Sequence, residues 1–135
     1  MILPIRFRDC DPAGIAYFPA LLALADAAVE DWTPAATGWT RADMHGRLRL
    51  GLPTADLRVA FTAPCRLGEE LDFSVAPTAL GRSSVTLAVE ARHDGAPRFA
   101  ATLAQVLIDL DSGRPVPWPA DVRARLEPLV AKEAA

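Results

Sequence analysis

The residues best suited to chemistry lie in one short segment of the chain. Positions 9–19 read Asp-Cys-Asp-Pro-Ala-Gly-Ile-Ala-Tyr-Phe-Pro, which places two carboxylates and two aromatic rings around a Pro-Ala-Gly turn. The segment lies between a predicted strand and a long apolar helix. A carboxylate beside a helix N-terminus and an apolar wall is a candidate for catalysis. From the residues alone, Asp9 and Asp11 are also compatible with simple capping of the turn or helix.

The elements on either side of this segment are predicted from their periodicity. A strand is predicted from Ile2 to Arg8, with Ile5 and Phe7 on one face. Pro19 suits the first helical position, where its missing N–H costs nothing. The helix that follows, Ala20–Trp32, is apolar on almost every side until Asp26, which indicates a buried helix. It is too short to span a membrane.

The rest of the chain is dominated by strand signals. An irregular stretch from Thr33 to Gly51, broken by Pro34 and Gly38, is expected to contain a short helix near Arg41–Gly46. Four strands are predicted beyond it: Thr54–Pro64, Leu71–Ala79, Ser83–His93 and Arg98–Leu110. In the first of these strands, the alternation predicts that three side chains point inward: Leu57, Val59 and Phe61. A last helix is predicted over Ala120–Ala131, interrupted by Pro128.

This order of elements predicts an α+β fold. One apolar helix needs an apolar sheet face to bury it, and a curved antiparallel sheet of about five strands wrapped around that helix is the economical packing. The length predicts a single domain over residues 1–135. The sheet edge and part of the helix surface would stay uncovered, and both are commonly covered by a second subunit, so a homo-oligomer is expected.

Composition excludes several classes of partner. The net charge is −3 and the arginines are scattered, so neither nucleic acid nor a membrane surface is an expected partner. The two cysteines, Cys10 and Cys65, form no CxxC and no cluster with metal-ligand spacing, so no metal is expected. The N-terminal residues do not have the pattern of a signal peptide. The sequence therefore predicts a cytoplasmic protein with reduced thiols.

The 9–19 segment closely resembles the active-site loop of the hotdog-fold thioesterases, in particular the 4-hydroxybenzoyl-CoA thioesterase type. Residues 9–15 match the Asp-Cys-Asp-Pro-Ala-Gly-Ile run of that family, and residues 17–19 match its aromatic-aromatic-Pro. Asp26-Ala27-Ala28 matches the family's helix, and Gly51-Leu52-Pro53 nearly matches the start of its second strand. The turn Gly81-Arg82-Ser83-Ser84 falls where the family places a basic turn that meets the CoA nucleotide.

The resemblance implies a hotdog fold, hydrolysis of an acyl-CoA thioester without a cofactor, and a dimer or a tetramer built as a dimer of dimers. It implies that Asp11 is the catalytic carboxylate and that backbone N–H groups near Phe18 stabilise the oxyanion. Gly14 is expected to let the loop backbone approach a ligand closely. The implied substrate contacts are Tyr17, Asp26, Leu52 and Pro53. The implied CoA contacts are Arg82, Ser83 and Ser84.

Three departures from the family pattern leave the acyl group open. Phe18 replaces a Tyr or His, Leu52 replaces a Thr, and the turn at Gly81 carries fewer basic residues than expected. An aromatic or short acyl-CoA is the leading substrate, and an aliphatic acyl-CoA or acyl-carrier-protein thioester is the alternative. A third hypothesis is a hotdog protein that binds acyl-CoA without catalysis. The residues also leave open whether Asp11 attacks as a nucleophile or acts as a base on water.

Overall fold

The computed structural model describes residues 1–130. Its strands are β1 (Ile2–Pro4), β2 (Leu50–Gly51), β3 (Thr54–Phe61), β4 (Glu70–Leu80), β5 (Ser84–His93), β6 (Ala96–Val106) and β7 (Ile108–Asp109). Its α-helices are α1 (Phe18–Thr37), α2 (Arg41–Asp43) and α3 (Ala120–Leu126). Shorter helical turns span Phe7–Asp9, Met44–Leu48 and Glu127–Leu129.

Five strands form one antiparallel sheet in the order β1-β4-β5-β6-β3, and β2 pairs with β7 in a separate two-stranded ladder. The inner face of the sheet and the inner face of α1 together make the core, which includes Val29 of α1 and Leu87, Val89 and Phe99 of the central strands. The prediction of a five-stranded antiparallel sheet around one long buried helix is confirmed.

Helix α1 is longer than predicted, because it continues through Pro34 to Thr37. Two buried threonines support this last turn. Thr33 Oγ1 donates to Val29 O at 2.7 Å, and Thr37 Oγ1 donates to Thr33 O at 2.7 Å. The helix ends at Gly38, whose left-handed φ of 81° allows its N–H to donate to Pro34 O at 2.8 Å. The expectation of a break at Pro34 was therefore wrong.

The first strand is shorter than predicted. It ends at Pro4, and the chain then forms a single helical turn over Phe7–Asp9. This turn forms because the Asp9 carboxylate accepts the Arg6 N–H at 2.8 Å. Ile5 is buried as expected, whereas Phe7 is 81% exposed, so the prediction that the two share one inward face was wrong.

Strand β3 lies at the edge of the sheet and ends at Phe61 rather than Pro64. Of its three side chains predicted to point inward, Val59 is half-buried, but Leu57 is 44% and Phe61 51% exposed. Strand alternation predicts which face a side chain is on, but not how far α1 extends over that face. The edge strand consequently presents large apolar side chains to solvent.

The C-terminal helix α3 ends at Leu126, and the turn Glu127–Leu129 contains Pro128. The predicted helix end at Ala131 lies outside the described residues. Within residues 1–130, none of the helices combines the length and hydropathy that a membrane crossing requires.

Candidate active site

Residues 9–17, called here the Asp11 loop, form a tight hairpin at the N-terminus of α1. Asp11 N–H donates to Ile15 O at 3.0 Å, and Gly14 N–H donates to Asp11 O at 2.9 Å. Gly14 adopts a left-handed φ of 75°, which any other common residue would adopt only with strain. The loop therefore owes its shape to backbone hydrogen bonds and to one glycine.

The Asp11 carboxylate is exposed at the tip of this loop. Its Oδ1 accepts hydrogen bonds from Ala13 N–H at 2.9 Å and Ile15 N–H at 3.2 Å. No residue among 1–130 donates a hydrogen bond to Oδ2. One oxygen thus fixes the orientation of the carboxylate, and the other is free to meet a ligand.

Asp9 is buried and has a different position from Asp11. Its carboxylate accepts Arg6 N–H, and its backbone carbonyl accepts Tyr17 N–H at 3.1 Å. Asp9 therefore braces both ends of the loop.

Cys10 lies between the two carboxylates in sequence. Desolvation and then the charges of Asp9 and Asp11 raise the pKa of the Cys10 thiol. A raised pKa disfavours the thiolate, so Cys10 is a poor nucleophile.

Helix α1 begins at Phe18, with Tyr17 as its N-cap residue and no side chain capping it. Pro19 is the second helical residue rather than the first, which corrects its predicted position by one residue. Within residues 1–130, no acceptor meets the Phe18 N–H. The helix N-terminus therefore has a free donor and the positive end of the helix dipole beside the Asp11 loop.

The predicted substrate contacts separate into two cavities. A cavity of about 120 Å³ lies between α1 and the β3 edge, and Asp26 is its acidic wall. The rest of its lining is Leu22, Ala25, Thr54, Leu57, Ala101 and Leu103. Leu52 and Pro53 instead line a second cavity of about 280 Å³ with Arg41 and His45. Tyr17 lines neither of these cavities and is 46% exposed at the start of α1.

Thr54 and Leu57 were not predicted as lining residues. The available signal was the strand alternation, which already placed Leu57 on the inner face, and the position of Thr54 directly after Pro53. No sequence pattern indicated that the strand would separate two cavities at Thr54.

The predicted CoA turn is held by its backbone. Leu107 N–H donates to Ser83 O at 2.7 Å, and Trp118 donates its backbone N–H to Arg82 O and its indole N–H to Ser84 O. The Arg82 side chain is exposed, and no residue among 1–130 pairs with it. Arg123 of α3 donates to Gly81 O at 3.1 Å, so a second guanidinium reaches this turn. No sequence pattern indicates that contact, because the two residues are 42 positions apart.

The part of the chain that the structure describes contains no group of three or more His, Cys, Asp or Glu side chains arranged to hold a metal ion. The Asp11 loop and the start of α1 provide a carboxylate and a free N–H donor, whereas the apolar cavity beside Asp26 has neither Asp11 nor Phe18 in its lining.

A curved antiparallel sheet around one helix, with a carboxylate at the helix N-terminus, defines a hotdog-fold thioester hydrolase. The family model described as "Thioesterase-like superfamily" matches residues 5–126, and the chain belongs to that superfamily.

Individual relatives agree with this assignment. A 1,4-dihydroxy-2-naphthoyl-CoA hydrolase of Synechococcus elongatus is 27% identical over 115 residues, which are 85% of this chain and 85% of that protein. A thioesterase superfamily structure from Jannaschia sp. is 28% identical with a TM-score of 0.88, covering 98% of this chain and 92% of the other. A Thermus thermophilus thioesterase, solved with coenzyme A and zinc, is 25% identical with a TM-score of 0.79, covering 96% and 91%.

Proposed function

We propose that this protein is an acyl-CoA thioesterase in which Asp11 is the reacting carboxylate. The observation that carries the proposal is the free Oδ2 of Asp11 beside an α1 N-terminus whose Phe18 N–H has no acceptor within residues 1–130. An attacking group and an oxyanion donor are the two elements that acyl transfer needs. The coenzyme A in the Thermus thermophilus relative supports a CoA ester as the substrate.

The reaction can proceed in two ways from this geometry. In the first, Asp11 Oδ2 attacks the thioester carbonyl carbon, the C–S bond breaks to release the CoA thiolate, and water hydrolyses the resulting mixed anhydride. In the second, Asp11 removes a proton from a water molecule that attacks the same carbon. In both, the Phe18 N–H stabilises the negative charge that develops on the carbonyl oxygen. Single turnover in ¹⁸O-labelled water separates them when water attacks the Asp11 carbonyl of the anhydride, because the label then enters Asp11 and the first product takes its second oxygen from Asp11, whereas the water route places the label in the first product.

A hydroxylated aromatic acyl group is the proposed substrate class. Asp26 supplies a carboxylate acceptor in an otherwise mostly apolar cavity, which suits a ring that carries a hydroxyl donor. The name of the Synechococcus elongatus relative, a hydroxylated naphthoyl-CoA hydrolase, supports the same class. The alternative is an aliphatic acyl-CoA or acyl-carrier-protein thioester, which the apolar lining of Leu22, Leu57 and Leu103 favours.

A substrate panel decides between these. We expect kcat/KM for 4-hydroxybenzoyl-CoA to exceed that for benzoyl-CoA, for short aliphatic acyl-CoA esters and for carrier-protein esters. Replacing Asp26→Leu should remove the preference for the hydroxylated ring over benzoyl-CoA while leaving benzoyl-CoA turnover in place. Equal ratios in the wild type and this variant would refute the role of Asp26. Tight binding of every ester with no turnover would instead identify a non-catalytic acyl-CoA-binding protein.

The oligomeric state is part of the proposal. Strand β3 leaves a sheet edge unpaired and exposes Leu57 and Phe61, which supports pairing with a second copy. We propose a homodimer that forms a tetramer as a dimer of dimers, in the cytoplasm, where Cys10 and Cys65 stay as free thiols. Light scattering of the purified protein measures the mass directly, and a monomer at micromolar concentration would contradict it.

A further inference from the structure

A second segment, residues 64–69, is hydrogen-bonded to the Asp11 loop. Ala16 N–H donates to Cys65 O at 2.8 Å, and Leu67 N–H donates to Gly14 O at 2.9 Å. Ile15 and Arg66 face each other in a bridge between the two segments. A shift of residues 64–69 would therefore move the Asp11 loop with it.

That segment is fixed in turn by an ion pair at its end. The Glu69 carboxylate accepts Arg66 N–H at 2.6 Å and both terminal nitrogens of Arg98, at 2.8 and 2.9 Å. Arg98 also donates to Pro64 O, so its guanidinium joins both ends of the segment. His93 Nε2 lies 3.3 Å from the same carboxylate.

Among the Arg–carboxylate pairs of residues 1–130, this is the one in which both side chains are largely buried. The Arg98 and Glu69 side chains are 15% and 18% exposed, whereas those of Arg92 and Glu90 on the same sheet are 47% and 50% exposed. A bidentate, largely buried pair holds a fixed geometry, while an exposed pair contributes little. The Glu69–Arg98 pair therefore fixes the segment that hydrogen-bonds to the Asp11 loop.

We propose that Glu69 and Arg98 are positioning residues for the Asp11 carboxylate. The contact path is short. Glu69 holds Arg66, Arg66 bridges Ile15, and the Ile15 N–H holds Asp11 Oδ1 at 3.2 Å. The inference rests on the proposed role of Asp11 in catalysis. Neither positioning residue lines the cavity beside Asp26, so we expect their loss to lower kcat rather than raise KM.

The expected size of the effect follows from the sensitivity of attack geometry. A displacement of about 1 Å at the reacting group costs on the order of 100-fold in rate. In Glu69→Gln the neutral amide keeps the shape of the side chain but cannot hold Arg98 by charge. We expect a fall in kcat of about 10- to 100-fold, with KM within about 2-fold of the wild type.

The experiment compares Glu69→Gln with the matched control Glu90→Gln, which removes the exposed partner of Arg92 on the neighbouring strand. Both are assayed with 4-hydroxybenzoyl-CoA below the melting transition of each variant. A second readout is amide hydrogen exchange at Ala16 and Leu67, whose N–H groups bind Cys65 O and Gly14 O and so join the two segments. Glu69→Gln should exchange faster at both amides, whereas Glu90→Gln should match the wild type in rate and exchange. Arg98→Lys keeps the positive charge but loses the bidentate pairing with Glu69, so its kcat should lie between those of Glu69→Gln and Glu90→Gln.

The outcomes keep this inference separate from the proposed function. If Glu69→Gln keeps the wild-type kcat while the Ala16 and Leu67 amides exchange faster, the pair stabilises the fold without positioning the Asp11 carboxylate, and the inference fails. It also fails if kcat falls only in proportion to the folded fraction. If Asp11→Asn, measured alongside, is fully active, the proposed function fails and the inference fails with it, whereas an inactive Asp11→Asn beside a fully active Glu69→Gln overturns the inference alone.

Discussion

Gly14 and Gly113 form a natural pair for testing whether the shape of the Asp11 loop matters to catalysis. Both have a left-handed backbone, with φ of 75° and 73°, and an added Cβ would meet nothing within 4 Å at either position. Alanine at either glycine therefore adds strain without a clash, at a cost of about 1–2 kcal/mol. With an unfolding entropy of about 2.1 cal/mol/K per residue over 135 residues, each substitution should lower Tm by about 4–7 °C.

The two variants should differ in activity although they match in stability. Gly14 N–H donates to the backbone carbonyl of Asp11, and Gly14 lies between Ala13 and Ile15, whose N–H groups hold the Asp11 carboxylate, so strain at Gly14 shifts the groups that orient it. Gly113 lies in the surface turn after β7. We expect Gly14→Ala to lose about 10-fold or more in kcat and Gly113→Ala to keep the wild-type value. Thermal unfolding and steady-state kinetics on the same preparations measure both. Equal Tm losses with equal kcat would refute the argument that loop geometry limits the rate.

Three further predictions address the CoA turn, the core and the pH dependence. Arg82→Ala should raise KM for an acyl-CoA by about 10-fold and leave an acyl-pantetheine, which lacks the nucleotide, unchanged; equal effects on both esters would exclude a phosphate contact. Leu87→Ala removes a fully buried side chain and should lower the free energy of unfolding in urea by about 2–5 kcal/mol, and a loss below 1 kcal/mol would show that the core collapses around the gap. Burial acts to raise the pKa of Glu69, but hydrogen bonds from Arg98 and the Arg66 N–H outweigh it and hold that pKa below its ordinary value of 4.5. A lowered pKa in the folded state stabilises the protein above about pH 4.5, and this contribution is lost as the pH falls through the folded value, so Tm should fall less steeply between pH 6 and 3.5 in Glu69→Gln than in the wild type.

The overall architecture was predictable because its signals are local. The apolar run after Pro19 predicts a buried helix, and the alternation around Val89 predicts a strand with one buried face. A single apolar helix can be buried in few ways, and packing on one face of a sheet is the simplest. The element ends were less predictable. Phe7 follows the strand pattern, yet the Asp9 carboxylate captures the Arg6 N–H and ends the strand early.

The site was predictable only where its residues are adjacent in sequence. The Asp11 loop is one continuous segment, so its motif could be recognised whole. The Glu69–Arg98 pair and the approach of Arg123 to Gly81 join positions 29 and 42 residues apart, and no periodicity or motif connects them. Leu52 and Asp26 likewise line different cavities because of how distant segments pack, which only the packed structure defines.

The Asp11→Asn variant shows whether Asp11 carries out the reaction. An asparagine Oδ1 can still accept the Ala13 and Ile15 N–H groups, so the loop should keep its shape while the second oxygen loses its charge and nucleophilicity. The measurement is kcat for release of free thiol from 4-hydroxybenzoyl-CoA, with Tm recorded on the same sample. We expect an unchanged Tm and a loss of at least about 100-fold in kcat. A variant with the wild-type kcat would contradict this expectation.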